Sequence, residues 1–510
     1  MNGYDFIIVG AGASGCVLAA RLSEDAKRTM LLLEAGPDYA DMQSLPADIA
    51  NSHFTAHSHD WPGYVSQPDL HGHQMWLPRA CIVGGCSATN AACALRGSEA
   101  TYDQWALLGN PGWSFADVLP YFRRVEIDLD FDTPWHGKRG LMPIRRYPPA
   151  ELTPVQRAFL DACATAGYAC IEDHNAPGAV GAGPWPMNVV AGIRQSAALT
   201  YLTSARDRPN LTIRAGTLVD RVLFDGSTAT GVRLAKSNES ILARHIILAA
   251  GTYSSPAILM RSGIGPAAHL QEMGIEVVLN RPGVGQHLSD HPAFTLHFAA
   301  VAPAPTGSVP FIQTLLTLQS QSTAKGHGPD LHLIPGSLLV PDPWQSPTGA
   351  TFTLVVALIK PRSLGRLSLR SSDPAAVPVI DLGYFTDPHD VLRLIEGVRK
   401  ARRIAGTPPL NRWVRDEIVL GKTSMDDGEA LKTAIVDGMA SYHHPTGTCH
   451  MGPITDKMAV VDAQGRVHGV ERLWTIDASI MPTIPDANTN LPTMMMAERC
   501  VDWLRDACKF

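Results

Sequence analysis

The chain has 510 residues, a formal net charge of −6, 45% hydrophobic residues and 18% charged residues. This composition is typical of a globular protein with more than one hydrophobic core, so we expect two domains. The sequence contains no basic run, so we expect no nucleic-acid partner. No stretch approaches the roughly eighteen consecutive apolar residues of a transmembrane helix, and we predict no transmembrane segment.

The nine cysteines favour a reducing compartment. Their number is odd and no C-x-x-C pair occurs, which indicates free thiols and neither a disulfide framework nor a zinc site. The first apolar run begins at residue 4, without the basic and apolar regions of a signal peptide. We therefore predict a cytoplasmic protein.

The first thirty-four residues have the pattern of a βαβ unit. Residues 4–9 predict a buried strand, and residues 10–15 (GAGASG) interrupt it. Residues 16–23 have apolar side chains at helical spacing, and residues 30–33 predict a second strand that ends at Glu34. A strand, a G-x-G-x-x-G turn, a helix and an acid after the next strand together indicate a dinucleotide-binding site.

Each feature of that motif has a physical role. Gly10 permits the tight turn, Gly12 lets a pyrophosphate approach the backbone, and Gly15 lets the helix pack closely on the strand. The helix N-terminus faces the phosphates, and Glu34 accepts hydrogen bonds from ribose hydroxyls. The motif does not separate NAD from FAD, and a glycine turn without a ligand is the alternative.

Residues 37–78 predict an irregular loop that contains several histidines. A metal site is one interpretation, but no acidic or cysteine partner lies at ligand spacing, so we predict a solvated loop and no metal. The histidines are His53, His57, His59, His71 and His73.

A second glycine-rich stretch carries a family resemblance. Residues 84–90 (GGCSATN) suit a loop pressed against a flat or charged ligand. The stretch resembles the Gly-Gly-Ser-Ser-x-x-Asn segment of the glucose–methanol–choline (GMC) oxidoreductases, which runs along the flavin. Cys81 and Cys86 depart from that pattern. Some relatives bind the flavin covalently through a histidine, and Thr89 stands at that position, so the resemblance implies non-covalent FAD.

Further motifs extend the resemblance over nearly the whole chain. Residues 251–265 (GTYSSPAILMRSGIG) resemble the second GMC signature. Residues 282–285 (PGVG) with Asp290-His291, residues 441–452, and residues 477–482 with 488–492 resemble the family's later motifs. The resemblance implies these cofactor-binding residues: Gly10, Gly12, Ala13, Ser14, Gly15, Glu34, Ala35, Val83, Gly85, Asn90, Val219, Ala250, Gly251, Asp477, Ala478, Asn488, Thr489 and Asn490.

The same resemblance implies the catalytic residues. In the family a histidine before Pro-x-Gly-Thr is the base, and a later His or Asn is its partner, which gives His444 and Asn488. His443 is the alternative base, and Asn488 as a turn residue is the alternative for its role. A neutral imidazole can accept the substrate's hydroxyl proton near pH 7 while a hydride passes to flavin N5.

The expected fold is α/β, α+β overall, of the GMC type. It has a Rossmann-like FAD-binding domain (residues 1–150, 205–295 and 430–510) and a discontinuous substrate domain (residues 151–204 and 296–429) built on an antiparallel sheet. Residues 299–328 lack periodicity and are interpreted as a loop over the substrate.

The expected activity is FAD-dependent oxidation of a small-molecule primary alcohol to the aldehyde, with oxygen or another electron acceptor. Two alternatives stay open at this point. One is a hydroxynitrile-lyase-type enzyme that keeps FAD without net redox chemistry, and the other is a non-catalytic FAD-binding or NAD-linked protein.

Overall fold

Two sheets organise the protein, whose computed structural model describes residues 3–68, 72–301, 310–323, 328–338, 346–418 and 428–507. The helices are α1 (Ala13–Leu22), α2 (Ala47–Ala50), α3 (Glu99–Leu107), α4 (Phe115–Val125), α5 (Pro154–Thr165), α6 (Gly251–Arg261), α7 (Ala267–Glu272), α8 (Pro388–Ala405), α9 (Gly428–Gly438) and α10 (Asn490–Ala507).

The strands follow the order of the chain. They are β1 (Tyr4–Val9), β2 (Met30–Leu33), β3 (Glu126–Asp128), β4 (Met142–Ile144), β5 (Ala182–Pro184), β6 (Val189–Val190), β7 (Ile193–Arg194), β8 (Leu211–Arg214), β9 (Val219–Asp225), β10 (Thr228–Leu234), β11 (Ser240–Leu248), β12 (Ile264–Gly265), β13 (Leu279–Asn280), β14 (Pro292–Ala300), β15 (Thr314–Leu318), β16 (Leu331–Pro335), β17 (Thr351–Leu358), β18 (Arg366–Ser368), β19 (Val379–Asp381), β20 (Val414–Glu417), β21 (Met439–Ser441) and β22 (Leu473–Thr475).

The first sheet has the order β8-β2-β1-β11-β10-β9, and β22 also pairs with β11. Strands β8, β2, β1, β11 and β22 are parallel, with Phe6 opposite Met30 and Ile246 opposite Leu473. Strands β1 and β2 are almost wholly buried because helices cover the sheet, and α1 packs against α10 beside it. The carboxyl ends of β1, β2, β11 and β22 therefore lie along one edge, where α/β sheets bind ligands.

The second sheet is antiparallel, in the order β20-β14-β17-β16-β15-β5, with β21 paired to β14. Helices α5, α8 and α9 contribute to the apolar core on one side of it. A parallel Rossmann-like sheet joined to an antiparallel sheet is the predicted fold class, which is confirmed.

The predicted elements of the first βαβ unit occur close to their expected positions. The strands expected at residues 4–9 and 30–33 correspond to β1 and β2, and the helix expected at residues 16–23 corresponds to α1. Ser114 is the N-cap of α4 and forms a capping box with Asp117. The prediction of an unbroken loop over residues 299–328 is wrong, because residues 314–318 form β15. Residues 302–309 and 324–327 of that predicted loop lie outside the described residues.

The limits of the two predicted domains stay a prediction. Strand β14 crosses the predicted limit at residue 295, and β21, within the segment assigned to the FAD-binding domain, pairs with β14 of the antiparallel sheet. None of the helices in the described ranges combines the length and the hydropathy that a membrane crossing requires.

Candidate active site

A cavity of about 610 Å³ opens at the carboxyl edge of the parallel sheet. Of the predicted cofactor-binding residues, all but Gly15 and Val83 line this cavity. Gly15 lies inside α1 against the first turn, and the amide of Val83 donates to the carbonyl of Pro37. The structure therefore brings residues from distant parts of the sequence to one cavity: Gly10, Gly12, Ala13, Ser14, Glu34, Ala35, Gly85, Asn90, Val219, Ala250, Gly251, Asp477, Ala478, Asn488, Thr489 and Asn490.

Three helices begin at the cavity. Their first residues, Ala13 of α1, Gly251 of α6 and Asn490 of α10, all line it. The first backbone N–H groups of a helix have no partner within the helix, and the helix dipole adds partial positive charge there. The cavity therefore suits a ligand with negative charge, such as a pyrophosphate.

The glycines of the first turn leave room for a ligand on one side only. A Cβ atom at Gly12 would meet no protein atom within 4 Å, so this face of the backbone is open. A Cβ at Gly15 would lie 1.8 Å from the carbonyl oxygen of Gly10, and a Cβ at Gly10 would lie 2.5 Å from that of Ala249. Gly10 and Gly15 therefore serve packing, while Gly12 leaves space for a dinucleotide.

Two buried carboxylates line the cavity. Glu34, at the end of β2, accepts the N–H groups of Ala11 and Gly36, both at 2.9 Å. Burial raises the pKa of Glu34, while these N–H groups oppose the change. Asp477 accepts the N–H of Gly251 at 2.8 Å and the hydroxyl of Ser255 at 2.6 Å, so it joins the end of β22 to the start of α6.

His444 and Asn488, the predicted catalytic pair, meet on the wall of the cavity. The Nδ2 atom of Asn488 lies 3.1 Å from Nε2 of His444, and both residues are buried and line the cavity. The second ring nitrogen of His444, Nδ1, lies 3.0 Å from Nδ1 of His291. Each ring nitrogen of His444 therefore has a defined neighbour.

Asp290 fixes the backbone around His444. Its Oδ1 accepts the N–H groups of His291 at 2.9 Å and His444 at 2.7 Å. Its Oδ2 accepts the hydroxyl of Tyr384 at 2.9 Å and that of Ser441. One buried carboxylate thus connects the start of β14, the segment after β19 and the segment that carries the imidazole.

His443 has a backbone conformation that L-residues rarely adopt, with a φ of +67°. The hydroxyl of Ser441 accepts its N–H at 2.8 Å, and Nη2 of Arg79 donates to its carbonyl at 3.0 Å. Strained residues of this kind persist where surrounding contacts hold them. The contacts on either side of His443 therefore help to aim the next residue, His444.

Burial controls the protonation of the imidazoles. It lowers the pKa of His444 well below its usual value, and the neighbouring His291, His443, Arg79 and His332 lower it further. Burial likewise lowers the pKa of His291 and of His443 to about 3. His444 is therefore neutral at physiological pH, as a proton acceptor must be.

The described histidines of the loop at 37–78 make contacts of their own. His57 contacts Asp60 at 2.8 Å, His59 contacts the hydroxyl of Tyr39 at 2.9 Å, and His71 lies outside the described residues. The prediction of no metal at these histidines stays a prediction.

In the described part of the chain, one group of residues has ligand atoms close enough for a metal, namely Glu126, Asp128 and His136. Arg96 pairs with Glu126, and Arg146 pairs with Asp128 at 2.5 Å. Although burial acts against it, hydrogen bonds to the acids raise the pKa of His136 to about 10. The group is therefore a charge-compensated ion-pair network.

Sequence reasoning did not assign a role to several residues of the site. The sequence places Asp290 and His291 in a family motif, and that motif is the sequence feature that points to them. Arg79 and Tyr384 carried no signal, since their contacts depend on residues far away in the sequence.

The fold and the cavity define a dinucleotide-binding protein, and comparisons with known proteins identify the family. Two family models, both described as GMC oxidoreductase, match residues 4–293 and 361–497. An oxygen-dependent choline dehydrogenase from Rhizobium etli is 34% identical over 529 residues, which cover 98% of this chain and 95% of that protein. The chain therefore belongs to the GMC oxidoreductase family, and it is an FAD-dependent alcohol oxidoreductase.

Solved structures agree with this assignment. The crystal structure of pyridoxine 4-oxidase from Mesorbium loti superposes with a TM-score of 0.91 at 29% identity and covers 99% of both chains. Formate oxidase, described in studies of FAD modification in Aspergillus oryzae, has a TM-score of 0.89 at 24% identity and covers 100% of this chain and 99% of its own, which shows the shared fold.

Two glycine variants separate cofactor binding from folding. We expect Gly15→Ala to lower the free energy of unfolding of the apoprotein by about 1–3 kcal/mol, because its Cβ overlaps the Gly10 carbonyl. We expect Gly12→Ala to change it by less than about 0.5 kcal/mol. Its methyl group projects into the cavity, so we expect FAD to bind at least about tenfold more weakly. Chemical unfolding and FAD titration measure both effects, and equal losses of stability would contradict the distinction.

Proposed function

We propose that the protein oxidises a primary alcohol to the aldehyde and that His444 accepts the hydroxyl proton. FAD, when bound, supplies the hydride acceptor. The observation that carries the proposal is the pair formed by Nε2 of His444 and Nδ2 of Asn488 at 3.1 Å on the cavity wall. Nε2 of a neutral His444 can accept a proton, and Nδ2 of Asn488 can donate a hydrogen bond. An alcohol oxygen beside them can donate its proton to Nε2 and accept a hydrogen bond from Nδ2.

The energetics indicate that proton and hydride leave the substrate nearly together. With water's pKa of about 16 as a proxy for the alcohol and about 6.5 for an ordinary histidine, the gap is roughly 9 units. That gap corresponds to about 12 kcal/mol for a free alkoxide. Burial lowers the pKa of His444 and widens the gap. Asn488 therefore has to stabilise the negative charge that develops on the substrate oxygen.

The wall beside His444 favours an uncharged substrate. The ring of Tyr442 lies 4.4 Å from the ring of His444, between centroids, and it packs in an apolar cluster with Ala91, Cys93 and Ile312. These residues line the cavity. Such a surface suits an alcohol with an aromatic or aliphatic body.

Charged residues point to the same substrate class. Among the described residues that line the cavity, the carboxylates are Glu34 and Asp477, and both already bind backbone N–H groups. The charged side chain that binds the backbone next to His444 is the cation Arg79. A quaternary ammonium substrate such as the choline named for the Rhizobium relative would face this cation. An alcohol without charge would not.

The relatives' names also guide the choice of electron acceptor. One is called an oxygen-dependent dehydrogenase and the other an oxidase, so we take oxygen as the acceptor. Thr89 cannot form the histidine-type link to the flavin, so we take the FAD as non-covalent. Denaturation with acid should release it into the supernatant.

Replacing His444 tests the assignment of the base. We expect His444→Ala to lower the rate of flavin reduction by about 10²- to 10⁴-fold, the range of general-base catalysis. We expect Asn488→Ala to lower it by about 10²-fold, as for loss of an oxyanion donor. Anaerobic stopped-flow spectroscopy measures the rate, and His443→Ala is the matched control, with a loss below about tenfold. A larger loss in His443→Ala than in His444→Ala would reassign the base.

The lowered pKa of His444 gives a specific pH profile. A base is active when deprotonated, so activity disappears as the pH falls through its pKa. Because the pKa of His444 is well below 6.5, we expect the rate of flavin reduction to be constant from about pH 6.5 to about pH 9. It should fall only under more acidic conditions. An acidic limb centred above pH 6.5 would contradict the burial of the imidazole in the working enzyme.

A substrate panel tests the proposed charge preference. We expect kcat/KM for neutral aromatic primary alcohols to exceed that for choline by at least about 100-fold, since choline's charge meets the cation Arg79, while both carboxylates of the described wall already bind backbone N–H groups. Flavin reduction by choline at a similar rate would overturn this preference. A flavin that no alcohol bleaches under anaerobic conditions would instead favour the lyase-type alternative.

A further inference from the structure

His291 lies directly behind the proposed base. The two Nδ1 atoms are 3.0 Å apart, and the rings meet at 83° with their centroids separated by 5.2 Å. His291 is wholly buried, immediately precedes β14, and is held by the bond from its own N–H to Asp290. Its contact with His444 therefore joins two segments that the same carboxylate already fixes.

The direction of the hydrogen bonds follows from the donors. The amide of Asn488 is placed with Nδ2 towards Nε2 of His444 and with Oδ1 buried without a hydrogen-bond partner among the described residues. An amide nitrogen can only donate, so this orientation requires an Nε2 of His444 that carries no hydrogen. A neutral His444 then has its hydrogen on Nδ1 and donates it to Nδ1 of His291. A neutral His291 in turn has its hydrogen on Nε2, a buried atom that makes no hydrogen bond among the described residues.

We propose that His291 is a positioning residue that holds His444 in the tautomer whose Nε2 carries no hydrogen, so that its lone pair can accept the substrate's proton once the substrate oxygen takes the place of the Asn488 amide beside it. The inference rests on the proposed function, in which Nε2 of His444 is the accepting atom. In the opposite tautomer the hydrogen on Nε2 would face the alcohol, and no lone pair would be available for the proton. The second ring nitrogen of a histidine and its partner usually decide which tautomer is populated.

The surroundings of His291 keep it in the accepting form. Burial lowers its pKa to about 3, against smaller opposing effects from Asp486 and from the carbonyls of Ile359 and Pro485. Lys360 acts in the same direction as burial. A protonated His291 would carry hydrogen on Nδ1 and would force the wrong tautomer on His444. A neutral His291 accepts instead.

The groups that face His444 do not replace this role. His443, Arg79 and His332 affect its pKa through charge, while Asn488 contacts Nε2. Among the described residues, His291 has the ring nitrogen that lies within hydrogen-bond distance of Nδ1 of His444. His332, on β16, is wholly buried in the same group of histidines and makes no hydrogen bond to His444 in the described structure. It is therefore a matched control.

The test uses the holoenzyme labelled with ¹⁵N-histidine. We expect the His444 signal, identified by its loss in His444→Gln, to show hydrogen on Nδ1 in the wild type. We expect a mixture of tautomers in His291→Phe and the wild-type tautomer in His332→Phe. His291→Asn places an amide oxygen near the position of Nδ1 and should restore the wild-type tautomer. Hydrogen on Nε2 in the wild type would overturn the inference, even if His291→Phe does not fold.

Flavin reduction provides the second readout. We expect the limiting rate to fall about 10- to 100-fold in His291→Phe, the range for loss of a supporting contact, with KM nearly unchanged. His291→Asn should recover most of the rate, and His332→Phe should stay within about threefold of the wild type. An unchanged tautomer and rate in His291→Phe would overturn the role of His291 and leave the proposed function intact. A shifted tautomer in an enzyme that no alcohol reduces would support His291 and refute the proposed function.

Discussion

The active site depends on the buried carboxylate of Asp290. Four hydrogen-bond donors converge on it, from the backbone of His291 and His444 and from the hydroxyls of Tyr384 and Ser441. A buried carboxylate is destabilising unless hydrogen-bond donors pair with it. Losing any of the four donors would lower the stability of the folded protein, and this cost keeps each donor in position. The antiparallel sheet and the C-terminal segment thereby keep one relative position. The imidazole of His444 takes its place on the cavity wall from that constraint.

Charge is distributed unevenly over the wall of the cavity. Three helices begin at the wall, and its two carboxylates bind backbone N–H groups. The wall beside Tyr442 is apolar, and burial keeps the imidazole of His444 neutral. Low polarity strengthens the interactions of the few donors that remain, such as the Asn488 amide. Because His444 is a weak base in these surroundings, we expect the substrate to lose its hydroxyl proton at nearly the same time as its hydride.

The residues that the sequence predicted are those whose role is local. The G-x-G-x-x-G turn, Glu34 and the His444-Pro445 pair are recognisable because each role depends on its immediate neighbours in the chain. Strand β15 was missed because it lies inside the antiparallel sheet and all five of its residues are buried. A strand buried on both faces does not alternate between polar and apolar residues, so periodicity does not distinguish it from an irregular segment.

The supporting residues could not be predicted for a related reason. Asp290 and His291 lie more than 150 positions before His444, with separations of 154 and 153. No local pattern states that these segments meet, and the strained φ of His443 depends on Arg79, 364 positions away. Periodicity and motifs predict which side chains take part in the reaction. The tertiary contacts of the fold determine which residues orient those side chains.

The central claim is that an alcohol oxygen lies between Nε2 of His444 and Nδ2 of Asn488. A crystal structure of the FAD complex with an unreactive analogue of a neutral primary alcohol tests it most directly. The account predicts an analogue oxygen within about 3.2 Å of both nitrogens, with the carbon that bears it above flavin N5. An analogue seated elsewhere in the cavity, with His444 turned away from the flavin, would contradict it.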